Sequence, residues 1–348
     1  MTASTTTRAT EIVLPGPVEP DELRVRARDL PPPGQGQVVL RMEATGVSFA
    51  EQQMRLGKYY DQPPFPFVPG YDVVGTVVAT GPGVDSALTG RRSAAVVKTG
   101  GWASHLHVDA ADLVAVPAGV EPAAAETVLV NGVTAWQMLH RSASVATGGT
   151  VVVLGANGGV GSTLVQLARH AGLRVIGTAS PRHHDAVRAL GATPLDYRDP
   201  ALYEKLRGLA PDGVDAVFDH VGGDGLKQSW RLLRRGGTLV NYGSASTKDE
   251  KGNALLPLLA LFGRLWAWNH LPNGKSATFY NFWAGKRRID AFRARLAGDM
   301  TQVLRLIANG AIEPQIAARI PLERTADALR LAESRTVLGK VVIVGGTT

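Results

Sequence analysis

Residues 151–162 read VVVLGANGGVGS, an apolar run opening into a glycine-rich turn, and that pattern suits a buried parallel strand that hands over to a helix. Ala156, Gly158 and Gly161 stand at the spacing of a dinucleotide phosphate cradle, with Gly159 and Val160 between them. Such a cradle needs a tight turn, a bare backbone where the pyrophosphate approaches, and close packing of helix on strand. A helix over residues 162–172 would aim its N-terminal amides and positive dipole end at the phosphates. The alternative is a plain strand-to-helix connector, since glycine-rich turns serve there too. Residues 173–178, LRVIGT, supply the next strand at the distance a strand-helix-strand unit requires.

The end of that second strand decides what the cradle holds. An NAD site places Asp or Glu there for the ribose 2′-hydroxyl, whereas a 2′-phosphate needs the acid absent and a cation near. Here the strand ends Thr178-Ala179-Ser180-Pro181-Arg182, with a hydroxyl and a guanidinium and no acid. Ser180 and Arg182 thus favour NADPH through charge-assisted bonds. A solvated arginine at a helix start is the other reading of Arg182.

A chain of 348 residues suits two domains, and an apolar share of 45% supplies two cores. With no cysteine, disulfides, thiolate zinc sites, iron–sulfur clusters and cysteine nucleophiles are excluded. The net charge of +7 lies in small separate groups, such as Arg91-Arg92 and residues 286–288, without interleaved aromatics. Nucleic acid is therefore not the expected partner; solubility and attraction for an anionic cofactor are. The first residues lack a basic start followed by an apolar core, so a cytoplasmic enzyme is expected. Residues 254–268, ALLPLLALFGRLWAW, are too short to span a bilayer and are interrupted by Pro257, Gly263 and Arg264. They read as a buried or lid helix beside a substrate cleft, or else as a membrane-surface or dimer contact.

Two textures divide the chain. Residues 1–127 carry short alternating or apolar runs, such as QVVLRM at 37–42 and VVGTVV at 73–78, broken by Pro and Gly: a small β-rich, barrel-like domain. Residues 128–284 alternate strand and helix, which gives an α/β doubly wound parallel sheet. Residues 285–348 hold a long helix over 287–309 and a closing strand over 340–344, and are expected to return to the first domain.

The segments GVSFAEQQMRLGKYYDQPPFPFVPGYDVVGTV, VNGVTAWQML, GANGGVG, LDYRD at 195–199 and the terminal GKVVIV together resemble the zinc-free quinone oxidoreductases of the medium-chain dehydrogenase/reductase family. The vesicle amine transport protein 1 subgroup is especially similar, and the resemblance covers essentially the whole chain. It implies a GroES-like catalytic domain, a Rossmann domain, NADPH, and reduction of quinones or α,β-unsaturated carbonyls. Zinc alcohol dehydrogenases of the superfamily place Cys, His and a third ligand where this sequence has Ser48, Tyr71 and Asn131, none of them a usual zinc ligand. His105 and His107 alternate on a strand with no acidic third ligand in view, so no metal site is expected.

The resemblance also implies individual roles. Tyr59 would line the nicotinamide pocket and position substrate or donate a proton, or else serve as a packing aromatic. Ser48 stands where the family commonly has Asn, close to the nicotinamide or its ribose. Thr134 would lie near the nicotinamide, or cap a helix. Tyr197 would close over the 2′-phosphate beside Arg182. Gly243 and Ser244 fall where the crevice holds the nicotinamide half. Lys340 would reach a cofactor phosphate, or be a solvated strand-end lysine. A homodimer is expected, since Rossmann domains of the family pair through their sheets. The other functions open are an enoyl-thioester or ketone reductase of secondary metabolism, and an NADPH-binding regulatory protein with little turnover.

Overall fold

The computed structural model describes residues 6–243 and 255–346. They form two compact units, one of Met1–Val133 with Gly285–Thr348 and one of Thr134–Ala284.

In Thr134–Ala284 six parallel strands pair in the order Thr193–Asp196, Arg174–Ala179, Thr150–Val153, Val214–Asp219, Leu233–Asn241, Ser276–Phe279. This is the doubly wound dinucleotide-binding order. Val151, Val152, Val153, Val217 and Phe218 are wholly buried, as a sheet covered by helices on both faces demands. Chain order reverses between Thr150–Val153 and Val214–Asp219, so a crevice opens at their carboxyl ends.

The helix Leu255–His270 packs on the sheet along one side. Leu265 packs into the core of the sheet and Trp268 stacks on Trp230 at 4.8 Å, but Leu259 is 66% and Trp266 64% exposed. Leu265 and Trp268 are one helical turn apart, and Leu259 and Trp266 two turns apart on another stripe, so the helix is apolar over most of its circumference but packed on one side. Among the described residues no helix is long and apolar enough to cross a membrane.

The other unit is built on a mostly antiparallel sheet in the order Ile316–Pro321, Lys340–Val344, Gln37–Val47, Asp72–Thr80, Arg92–Val96, Val114–Ala115, with His105–Asp109 also paired to Gln37–Val47. Val38, Leu40, Met42, Val73, Val77, Trp102, Val341 and Ile343 fill its core. Pairing of Val341 with Val47, and of Val73 with Thr45, brings Ser48, Tyr71, Asp72 and Lys340 to one end of the sheet. The long helix Ile289–Ala308 is tied to this unit by Arg293, which donates to Asp112 and Asp109.

Candidate functional site

The helix after the first Rossmann strand is Gly159–His170, starting before the expected residue 162. The Ser162 amide already bonds to Gly158 O, so the glycines form the first turn. Gly158 is the N-cap, extended at φ −77° and ψ 169°, and no side chain caps the helix. First-turn amides have no intrahelical acceptor, so those of Gly159, Val160 and Gly161 are available to an anion. The turn below is held by Ala156 N donating to Thr178 O, Gly155 N to Thr178 Oγ1, and Gly158 N to Gly155 O.

The glycines divide by what a methyl group would meet. At Gly161 a Cβ would lie 2.1 Å from Gly155 O, so this glycine is required by the fold itself. At Gly158 the nearest atom would be Gly155 O, at an ordinary 3.5 Å. Nothing inside the chain requires a bare backbone there. A dinucleotide pyrophosphate lying on the turn would require one, and the bare turn with its first-turn amides fits such a group.

Beyond the second strand, Ser180 is half-buried and precedes the short turn Pro181–His183. Arg182 is exposed, and its Nε donates to His183 Nε2 at 3.2 Å. Tyr197 is brought to the same strand end: Asp196 pairs with Ala179, and Tyr197 N donates to Ala179 O. Its ring is 51% exposed and its hydroxyl accepts from Arg198 Nε at 3.0 Å. Arg198 was not singled out by sequence reasoning, although it follows Tyr197 directly. The nearby acid, Asp196, turns to its own loop and accepts from Arg198 N.

At the crevice, Gly243 lies against the end of the fourth strand, where a Cβ would come within 2.8 Å of His220 O. His220 Nδ1 donates to Leu154 O at 3.1 Å, and its ring occupies the space a Cβ on Gly155 would need. Sequence reasoning passed over His220, because a lone histidine after a strand carries no pattern. Ser244 lies outside the described residues. Thr134 is buried as the fifth residue of the helix Val130–Gln137, which rules out the N-cap role.

In the other unit Ser48 caps the helix Phe49–Arg55. Its Oγ accepts from Ala50 N and bonds to Glu51 Oε2, while Glu51 accepts from Ser48 N at 2.8 Å and from Tyr71 N at 2.8 Å. Tyr71 and Tyr59 share a hydroxyl–hydroxyl bond of 2.9 Å. Burial, reinforced by Tyr71, pushes the Tyr59 phenol above its ordinary value and keeps it protonated. Burial and then the charge of Asp72 raise the Glu51 carboxyl.

Lys340 was assigned by resemblance to a cofactor phosphate, with a solvated lysine as the alternative. The structure corrects both. Its Nζ is buried 2.9 Å from Asp72 Oδ2 and 2.5 Å from Glu126 Oε1. Burial alone would lower its pKa, but Asp72 and Glu126 outweigh that and hold it charged. The cause is the antiparallel pairing of the closing strand, which carries Lys340 beneath residues 46–48. Asp72 Oδ2 also accepts from Val130 N, which ties the start of the Val130–Gln137 helix to the same cluster.

Residues 34–131 match the model described as alcohol dehydrogenase GroES-like domain, and residues 190–343 that described as zinc-binding dehydrogenase. The human synaptic vesicle membrane protein VAT-1 homolog is 31% identical over 338 residues, covering 94% of this chain and 84% of that protein. The chain belongs to the quinone oxidoreductase-like medium-chain dehydrogenase/reductases. As a member of this family it is an oxidoreductase. Mycobacterial Rv1454c, in a structure complexed with NADPH, is 29% identical with a TM-score of 0.81, covering 97% of this chain and 99% of that one. A mycocerosic acid synthase-like polyketide synthase of Mycobacterium tuberculosis is 28% identical over 96% of this chain, which corresponds to 15% of its own length. Among the described residues of this medium-chain dehydrogenase/reductase, no three His, Asp or Glu side chains are grouped to hold a metal.

Proposed function

We propose that this chain transfers hydride from NADPH to quinones or α,β-unsaturated carbonyls without using a metal. The observation that carries the reading is Gly158, a cradle glycine at which the fold itself leaves room for a side chain, as a backbone kept bare for a pyrophosphate would. Support for NADPH comes from the acid-free strand end, the cations beside it, and the likeness to Rv1454c, whose structure holds NADPH.

Bound there, the cofactor supplies a hydride at its nicotinamide ring. Residues 128–284 form the cofactor-binding part: Ala156 and Gly158 to Gly161 hold the pyrophosphate, Ser180, Arg182 and Tyr197 the 2′-phosphate, and Gly243, Ser244 and Thr134 the nicotinamide half. Residues 1–127 with 285–348 form the catalytic part. There Ser48 is assigned to the nicotinamide or its ribose, with its hydroxyl oriented by Glu51. Tyr59 is the catalytic residue: protonated and hydrogen-bonded to Tyr71, it donates to the oxygen that gains charge as an enone or quinone is reduced. Ser48, Tyr71 and Asn131 offer a hydroxyl, a phenol and an amide where zinc needs thiolate or imidazole. Without a Lewis acid, conjugated acceptors are the substrates within reach.

We place the enzyme in the cytoplasm as a homodimer. Among the described residues the strand Ser276–Phe279 is an edge of its sheet, and Phe262, against Phe279, is exposed beside it. The polyketide synthase likeness favours a second reading, reduction of an enoyl thioester in secondary metabolism. A panel of quinones, enones and enoyl thioesters, read by loss of NADPH absorbance, tests the function. Turnover with the first two classes is expected, and thioester turnover alone would select the second reading.

A further inference from the structure

We infer that Arg198 is a specificity-determining residue that binds the 2′-phosphate of the cofactor, an inference that rests on the NADPH reading above. Three observations bear on it. Tyr197 N donates to Ala179 O and Arg198 N to Asp196 Oδ1, which places Arg198 on the turn that leaves the third strand, at the carboxyl end of the second. The guanidinium lies over the Tyr197 ring, 5.1 Å from its centroid, with Nε bound to the Tyr197 hydroxyl. That arrangement orients the exposed side chain through Nε and leaves its terminal nitrogens to form a fork, the geometry that receives phosphate oxygens in pairs.

The third observation is charge. Arg198 has no acidic side-chain partner among the described residues. The neighbouring acids are engaged elsewhere: Asp199 pairs with Lys205 and caps Ala201 N, while Asp185 pairs with Arg188. The fold thus holds a guanidinium without an acidic side-chain partner on the turn after the third strand, next to the second-strand end where an NAD enzyme carries a carboxylate. Arg182, on the turn from the second strand, and Arg198, on the turn from the third, would take the phosphate from two sides.

Titration calorimetry with NADPH, NADH and the fragments 2′,5′-ADP and 5′-AMP tests this in wild type, Arg198→Ala, Arg198→Lys and Arg182→Ala. Loss of charge-assisted bonds typically weakens binding about 10- to 100-fold. Arg198→Ala is expected to lose about that much for NADPH and 2′,5′-ADP, with NADH and 5′-AMP unchanged, and Arg198→Lys to recover only part. Wild-type preference for NADPH that survives Arg198→Ala but not Arg182→Ala would overturn the role of Arg198 and leave the NADPH reading intact. No wild-type preference would overturn that reading and this inference with it. Parallel weakening of all four ligands would reveal distortion of the strand end and also count against the role.

Discussion

Lys340 Nζ lies 2.9 Å from Asp72 Oδ2, and each of the two side chains is only 1% exposed. An ammonium removed from water needs a carboxylate beside it, which Asp72 supplies, and Glu126 Oε1 also approaches Nζ. Lys340→Met would leave Asp72 and Glu126 buried without their cation. Removing one member of a buried pair costs about 3 to 5 kcal/mol. A large drop in thermal midpoint is expected, with release of the Val130 end of the helix that Asp72 holds. A midpoint unchanged in Lys340→Met would show that the pair is dispensable.

The pH dependence of that cluster has a definite sign. Burial lifts the Glu126 carboxyl well above its ordinary value against the opposing pull of Lys340. Between the ordinary and the raised value the folded chain binds more protons than the unfolded chain, so the Glu126 contribution to stability declines as pH rises through that window. Glu126→Gln removes the proton uptake. Urea titrations across the window should give a flatter dependence on pH for the variant than for the wild type; identical slopes would contradict the assignment.

Gly158 and Gly161 make a paired test of the cradle. Gly161→Ala puts a methyl group 2.1 Å from Gly155 O and should lower stability. Gly158→Ala meets nothing closer than 3.5 Å at a backbone angle that alanine adopts, so its melting temperature should match wild type. Its affinity for NADPH should nonetheless fall at least tenfold, to about the extent expected for one lost charge-assisted contact. Unaltered affinity in Gly158→Ala would remove the pyrophosphate from this turn.

The cradle and the sheet were legible in the sequence because both are local: four apolar residues, a glycine spacing and alternating elements specify a parallel strand-helix-strand unit. Lys340 was not, because its burial comes from pairing with a strand almost 300 residues away in sequence. A lysine at a strand end looks solvated until its neighbours are known. Arg198 and His220 were missed for a related reason: the loop of the first is held to Ala179 O on the second strand, and the ring of the second to Leu154 O just past the first strand. The helix Leu255–His270 is apolar over most of its circumference, so no periodicity in it told which face would pack.

Tyr59→Phe keeps the ring against Tyr60 and removes the hydroxyl bonded to Tyr71. With the proton donor gone, kcat should fall about 100-fold or more while the Kd for NADPH stays unchanged. A variant with wild-type kcat would return Tyr59 to packing alone.

Hydride transfer itself is tested most directly with NADPH deuterated at nicotinamide C4, an enone acceptor and the purified enzyme after chelator treatment. The expected result is deuterium at the β-carbon of the product, one label for each NADPH consumed. Tight NADPH binding with no label transferred to any enone and no NADPH consumed by any quinone, or turnover restored only by zinc, would contradict it.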